Sequence, residues 1–453
     1  MSPTITARQG DITAVEVDAI VVNLFAGVTR PGGATGAVDQ ALGGAITALI
    51  AGGDFKGKLG DVAVLYPGAA LPAHRVLIAG LGPRDGFSFE QVRRAAAAAA
   101  EKAGALGARS VATIVHGAGI ANLEPRAAAR AVAEGSVLGA YTFDTFKSTP
   151  TDTPIADVTI VEFDGGKMDA VAAGASEGMT IAECANFARD LVNEPPNSCT
   201  PTSLAARAEQ VAAAYGGHAR VVEMPEMREL NMGALLSVAA GSAEPAKLIV
   251  LEHDPGQAEA APLVFVGKAI TFDTGGYSLK SYQNMAEMKT DMAGGAAVLG
   301  ALRAAMALGA PQRVIGIIPA TENMVSGRAS RPSDVVTASN GKTIEIISTD
   351  AEGRMVLADA LVYAARYEPA AVIDLATLTG AAMTALGRGG AAALFTNDDA
   401  LRDRILRASA DSGERVWPMP LFDEYAEWMR RSEVADLRNA PSDRHAGTGS
   451  SAA

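Results

Sequence analysis

Two stretches of this chain gather ionisable side chains where apolar runs end. Residues 266–298 read VGKAITFDTGGYSLKSYQNMAEMKTDMAGGAAV, and residues 348–361 read STDAEGRMVLADAL. Lys268 and Asp273 close a strongly apolar run, where an unpaired charge is costly. Asp291 opens a helical pattern. Asp350 precedes another, with Glu352 two residues later in its first turn. Four carboxylates converging on one spot repel one another, and they can share it by taking up protons or by binding cations. Two divalent ions would set +4 against the −4 of Asp273, Asp291, Asp350 and Glu352, which makes a two-metal site attractive.

The histidines narrow the donor set. The five are His74, His116, His218, His253 and His445; none lies in either stretch, and no HExxH occurs. A site here is therefore rich in oxygen, with an amine as the nitrogen donor. Carboxylate-dominated sites admit Mn²⁺, Mg²⁺ or Zn²⁺. The scattered histidines read as surface or core residues. Each member of the cluster also has an ordinary meaning when taken singly. Asp350 reads as an N-cap, Glu352 as a complement to a helix dipole, Lys280 and Arg354 as surface charges, and Gly275-Gly276 as a turn.

The elements that must carry these residues follow from periodicity. Residues 1–167 alternate strands with helices. Strand-like runs fall at 19–24 (AIVVNL), 75–81 (RVLIAGL), 111–115 and 158–163. A helix starts at Ser88 with Gln91 as its capping-box partner, and another starts near Pro125. Residues 168–193 predict one long linker helix with Ile181, Ala185, Ala188 and Val192 along one face, stopped by Pro195-Pro196. After Thr200 the alternation resumes, with strands at 248–252, 263–266, 314–319, 344–347 and 371–375 and helices at 293–308 and 353–366. The fold class is α/β with mixed, mainly parallel sheets, whose continuous apolar strands expect helices on both faces. In such sheets, sites form at the carboxyl ends of strands. Glycines 32, 33, 36, 43 and 44 form no GxxxxGK[ST] and follow no strand as GxGxxG, so they read as loop glycines.

Composition sets the class. The chain has 453 residues, enough for two or three domains, with 49% hydrophobic and 20% charged residues. Lys and Arg number 38 against 51 Asp and Glu, a net charge of −13, which disfavours nucleic acid and anionic membranes. Cys184 and Cys199 are too few for a disulfide framework or thiolate cage and suit a reducing compartment. No secretory pattern opens the chain, and no apolar run is long enough for a membrane span. The expected location is the cytoplasm.

The wording of the two stretches resembles a known family. GKAITFDTGGYSLK, MKTDMAGGAA and TDAEGRMVLADAL are similar to the signature of leucyl aminopeptidases, the two-metal M17 peptidases. RDLVNEPPN (189–197), PATENMVSGRASRPSDVV (319–336) and VIDLATLTGA (372–381) resemble family segments in the same order. The first domain resembles the family's macrodomain-like N-terminal domain through Gly10-Asp11-Ile12-Thr13 and Val17-Asp18-Ala19-Ile20. The resemblance implies a macrodomain-like domain over residues 1–167, the linker helix over 168–193, and a catalytic domain over 194–453 that stops short of the family's further C-terminal segment.

It also implies roles. Lys268, Asp273, Asp291 and Glu352 match the ligands of the tighter metal site. Asp273, Asp350 and Glu352 match those of the exchangeable one, with the Asp350 carbonyl as an added ligand. Lys280 resembles the catalytic lysine, which also binds substrate at the scissile carbonyl. Arg354 resembles the arginine that holds a bicarbonate, and Met288, Thr377 and Gly380 match the lining of the pocket for the first side chain. The implied activity is release of leucine and similar N-terminal residues from peptides. It would use a hydroxide activated by two Mn²⁺ or Zn²⁺ ions, in a homohexamer. Lys268 must be neutral to ligate, so a bound metal must depress its pKa. Ser348, Tyr277 and Ser281 depart from the family's usual residues near the site. The rivals are a dipeptidase for Cys-Gly-like substrates, and a non-catalytic binding protein built on a macrodomain or a vestigial peptidase.

Overall fold

The computed structural model describes residues 2–117, 123–149, 154–256 and 260–441. His445, residues 151–153 of the turn-rich stretch and the end of the chain lie outside the described residues. The chain forms two compact units, Met1–Asn186 and Phe187–Ala453.

In the first unit, β1 (Thr4–Gln9), β2 (Ala19–Phe25), β3 (Val62–Leu65), β4 (Val76–Gly82), β5 (Ser110–Ile114) and β6 (Asp157–Glu162) form one sheet in the order β1-β6-β5-β2-β4-β3. Its pairs are parallel except β3 with β4. The helices are α1 (Gly33–Ala41), α2 (Ala45–Ala51), α3 (Phe89–Ala105) and α4 (Pro125–Gly139). Alternate residues of β2 serve opposite faces. Ala19 and Val21 pack with the alanines of α3 and α4. Ile20 and Val22 share the other core with Val38 and Ile46 of α1 and α2. The cap of α3 forms as its sequence requires: Ser88 N–H donates to Gln91 Oε1 at 2.9 Å.

The long helix α5 spans Met168–Asn193, and the division between the units falls inside it. Its expected face is only partly the buried one, with Ala188 and Val192 packed against a core of the second unit. Ala185 is exposed, and Ile181, Ala188 and Val192 are only half-buried. Val171, Ala175 and Ala182 enter the first core, whereas Leu191 enters a core of the second unit. A helix that serves two cores has no reason to keep a single stripe along its length.

The second unit begins with α6 (Pro201–Tyr215), β7 (His218–Glu223), α7 (Met224–Glu229) and α8 (Gly233–Ala239). Next come β8 (Lys247–His253), β9 (Leu263–Gly267), β10 (Ala269–Asp273), α9 (Tyr282–Met285), α10 (Ala293–Ala307) and β11 (Val314–Asn323). After these follow β12 (Val335–Thr337), β13 (Thr343–Glu345), α11 (Gly353–Ala364) and β14 (Ala371–Leu375). The remainder is α12 (Ala381–Leu386), β15 (Ala392–Leu394), α13 (Asp399–Ser412), β16 (Val416–Pro418), α14 (Asp423–Met429) and β17 (Leu437–Arg438).

The main sheet runs β14-β9-β11-β8-β7, with β10 also paired to β11. β14, β9, β10 and β11 are parallel, and β8 is antiparallel to both its neighbours. Thus β9 and β10 lie in succession along the same edge of the longer β11, separated only by Lys268. Helix α10 covers one side and α8 with α11 the other. β14 departs from the expectation of full coverage: its residues are half-buried and Asp374 is exposed.

Candidate metal centre

The charged residues stand where β9, β10, β11 and β14 end, at the carboxyl edge of the parallel strands. Lys268 occupies the break between β9 and β10. Its N–H donates to Leu375 O at 3.0 Å, and its carbonyl accepts from Gly295 N at 2.8 Å. The side chain is 2% exposed. Its Nζ lies 2.8 Å from Asp291 Oδ1 and 2.7 Å from Glu352 Oε1, and donates to Thr377 O at 3.2 Å.

Asp273 is the last residue of β10. Its Oδ1 accepts from Gly275 N at 2.8 Å and Asn323 Nδ2 at 2.7 Å, while Oδ2 faces Lys280 Nζ at 2.7 Å. Asp291 follows the short 3₁₀ turn Met288–Thr290. Its Oδ1 accepts from Lys268 Nζ and from Thr377 Oγ1 at 2.7 Å, and its buried Oδ2 has no hydrogen-bond partner among the described residues. Glu352 holds the N-cap position of α11 without capping it. Asp350, two residues earlier, pairs with Lys280 rather than capping the helix. Of the four carboxylates it alone opens to solvent, with 38% of its side chain exposed. One oxygen from each of Asp273, Asp350 and Glu352 lies within 4.8 Å of the others.

The electrostatics are unbalanced. Two lysines face four carboxylates at contact distance, so acidic groups outnumber the cations paired with them. Burial pushes the Asp291 carboxyl up, with Lys268 opposing and the charges of Glu352 and Asp273 reinforcing the shift. Burial also raises Asp350, against the pull of Lys280. For Lys268, burial disfavours the charge, but Glu352 and Asp291 outweigh it and hold the ammonium above the ordinary lysine range. Asp273 and Asp350 do the same for Lys280. The lysine ammonium groups stand where cations would neutralise these oxygens. An orphaned buried carboxylate oxygen and an excess of carboxylates over paired lysines fit a donor set built for divalent ions.

Seven of the expected residues, Lys268, Asp273, Lys280, Asp291, Asp350, Glu352 and Thr377, are tied to one another by the direct contacts above. Arg354 lies on the first turn of α11, with Nη1 4.0 Å from Met429 Sδ. Burial lowers its pKa, and the Glu352 charge opposes that shift. Met288 begins the 3₁₀ turn before Asp291, and Gly380 holds the N-cap position of α12.

Sequence reasoning missed the residues that hold the two loops together. Thr349 Oγ1 donates to Gly275 O at 2.7 Å and accepts from Ser278 N at 2.7 Å, while Thr349 N donates to Ser278 Oγ at 3.1 Å. Asn323 Nδ2 donates to Thr349 O at 3.0 Å. Asn439, 2% exposed, accepts from Ile347 N and donates to Ser348 O at 2.6 Å. A Cβ on Gly276, whose φ is +60°, would sit 2.9 Å from Thr349 Oγ1, so this close approach needs glycine. Asn323 lies four residues beyond the strand read at 314–319, inside the segment 319–336 that resembles the family, and neither reading gave it a role.

Residues 186–453 match the model of the cytosol aminopeptidase family, catalytic domain, and residues 21–150 match that of its N-terminal domain. The chain belongs to the cytosol aminopeptidase family. It is thus a peptidase of a metal-dependent aminopeptidase family. A probable cytosol aminopeptidase of Geotalea uraniireducens is 44% identical over 405 residues, which are 89% of this chain and 81% of the relative. One of Geobacter sulfurreducens is 42% identical over 98% of this chain and 88% of its own length. A mutant of tomato leucine aminopeptidase superposes with a TM-score of 0.88 at 33% identity, covering 100% of this chain and 88% of that one. The bottromycin maturation enzyme BotP in complex with Mn gives 0.83 at 37% identity, over 96% and 88%. The sequence resemblance and the two-domain α/β fold class are therefore borne out. Among the described residues, no single helix is long and apolar enough to cross a membrane.

Proposed function

We propose that the protein removes N-terminal residues, leucine and similar ones, from peptides, using two divalent cations held by this cluster. The observation that carries the reading is the crowding of acidic groups: four converging carboxylates, three of them buried, with two lysines in contact ion pairs among them. Lys268, Asp273, Asp291 and Glu352 would hold one ion. Asp273, Asp350 and Glu352 would hold the other, with the Asp350 carbonyl as a further donor. Manganese or zinc suits the oxygen-rich donors with one amine. When bound, two such ions supply Lewis-acid polarisation and acidify a water molecule.

The chain's own residues supply the rest. Lys280, 15% exposed at the mouth of the cluster, places positive charge where a substrate carbonyl becomes an oxyanion. Arg354 adds a second positive group and a seat for bicarbonate. The free α-amine of a substrate would be held as a ligand at one of the two cation sites, which would restrict cleavage to the first residue. Met288, Thr377 and Gly380 would border the first side chain. Family membership and the intact charge cluster favour this reading over a non-catalytic binder. The homohexamer follows from the resemblance alone, and the cytoplasmic location from the two cysteines and the sequence patterning. The test is hydrolysis of an amino-acid amide panel by chelator-stripped protein, with and without Mn²⁺. Metal-restored cleavage, with leucine amide among the better substrates, supports the reading; cleavage indifferent to chelation overturns it.

A further inference from the structure

We infer that Asn323 is a positioning residue of the metal centre: it selects the oxygen that Asp273 presents and ties that carboxylate to the loop carrying Asp350. The inference rests on the two-cation reading above. Asn323 ends β11, is 5% exposed, and lies in register opposite Asp273 of β10. Its backbone is fixed there, because its carbonyl accepts from Thr274 N at 3.0 Å and from Thr274 Oγ1 at 2.8 Å.

The side chain then divides its two N–H groups. One donates to Asp273 Oδ1 at 2.7 Å and the other to Thr349 O at 3.0 Å. Oδ1 also accepts from Gly275 N at 2.8 Å. A carboxylate oxygen offers about two lone-pair sites, so these two donors saturate Oδ1. Oδ2 is left as the oxygen that faces the charged cluster, where Lys280 Nζ now stands at 2.7 Å. The second N–H fixes the peptide that immediately precedes Asp350. One carboxamide therefore sets both the rotation of Asp273 and its position relative to Asp350. Groups that orient metal-binding side chains in this way change metal affinity by roughly ten- to hundredfold when removed.

The choice of variant matters. Asn323, Thr349, Glu352 and Asn439 border a cavity of about 20 Å³, room enough for one water. Truncation to Ala would let water replace the lost donors, so Asn323→Leu, which fills the space, is the sharper probe. Asn323→Val, smaller than Leu but still branched and without a donor, is the second variant and decides the matter if the Leu variant does not fold by circular dichroism. Thr271→Val is the control: it is equally buried in β10, and its hydroxyl reaches only Thr321 O at 3.5 Å.

Chelator-stripped proteins are titrated with Mn²⁺ by calorimetry, and their metal-free melting temperatures are recorded. The inference expects wild type and Thr271→Val to bind two Mn²⁺ per chain with equal affinity, and the folded Asn323 variants to bind roughly ten- to hundredfold more weakly. A purely structural role would lower the melting temperature and leave affinity unchanged. Asn323 variants that bind Mn²⁺ within twofold of wild type overturn the inference. Failure of wild type itself to bind two ions would instead remove the two-cation reading beneath it.

Discussion

Gly353 lies so close to Lys268 that a Cβ on it would fall 2.7 Å from Lys268 Cε and 2.9 Å from both Cδ and Nζ. The lysine cannot easily yield, because it is 2% exposed and Asp291 and Glu352 hold its ammonium from two sides. The glycine after Glu352 is therefore part of the lysine's seat, and it links the two charged stretches through packing.

Gly353→Ala should accordingly displace Lys268 and strain the start of α11. Overpacking of this kind costs roughly 1–3 kcal/mol. Thermal melts should show the loss, and elemental analysis should find less bound metal. Unchanged melting and unchanged metal content would mean that the lysine has room to move.

Glu352→Ala and Asp350→Ala should differ in stability while both lose metal and activity. Glu352 is 4% exposed as a side chain and balances buried Lys268, so its removal should cost on the order of 3 kcal/mol. Asp350 is 38% exposed, and its loss should cost no more than about 1 kcal/mol. Metal analysis that stays at two ions per chain in both variants would contradict the donor assignment.

The charged cluster was legible because its members sit in two short stretches, each at a strand or helix end, where charge in an apolar run calls for an explanation. The core strands β2, β8, β9, β11 and β14 were legible for the same reason of local pattern. What holds the cluster was not. Asn439 reaches Ser348 across 91 residues of sequence, and Asn323 reaches Asp273 across 50. Neither pairing leaves a periodic trace. The buried face of α5 was read only in part because one helix contributes to two cores, and the division of one apolar run into β9 and β10 at Lys268 left no sequence signal of its own.

Lys280→Met should separate binding from turnover. Lys280 Nζ contacts Asp273 Oδ2 and Asp350 Oδ1, so losing the ammonium removes a competitor for the cations, and both ions should still bind. If the lysine acts on developing negative charge, kcat should fall far more than KM changes. Steady-state kinetics on leucine amide, with metal content measured in parallel, decide the matter. A raised KM with kcat intact would make Lys280 a binding residue only.

His116 should give the first unit a pH-dependent stability unrelated to the metal cluster. The ring is fully buried, Asn23 Nδ2 donates to its Nδ1 at 2.9 Å, and Nε2 has no hydrogen-bond partner among the described residues. Burial pushes its pKa down from 6.5 to about 4, because the imidazolium would lose its hydration. Between those values the unfolded chain binds a proton that the folded chain refuses, so stability rises with pH there. The contribution is fully present above pH 6.5. It falls as the pH drops through that window, by about 2 kcal/mol at pH 5 and roughly 3 kcal/mol near pH 4. Carboxylates raised by burial, such as Asp291, slope the other way, so the wild-type curve alone cannot isolate the histidine. His116→Gln removes the titrating group and keeps a polar side chain opposite Asn23. Urea unfolding at pH 7, 6 and 5 should show wild type losing about 2 kcal/mol more than the variant over that range. Parallel pH profiles for the two proteins would mean that the folded ring accepts its proton as readily as the unfolded one.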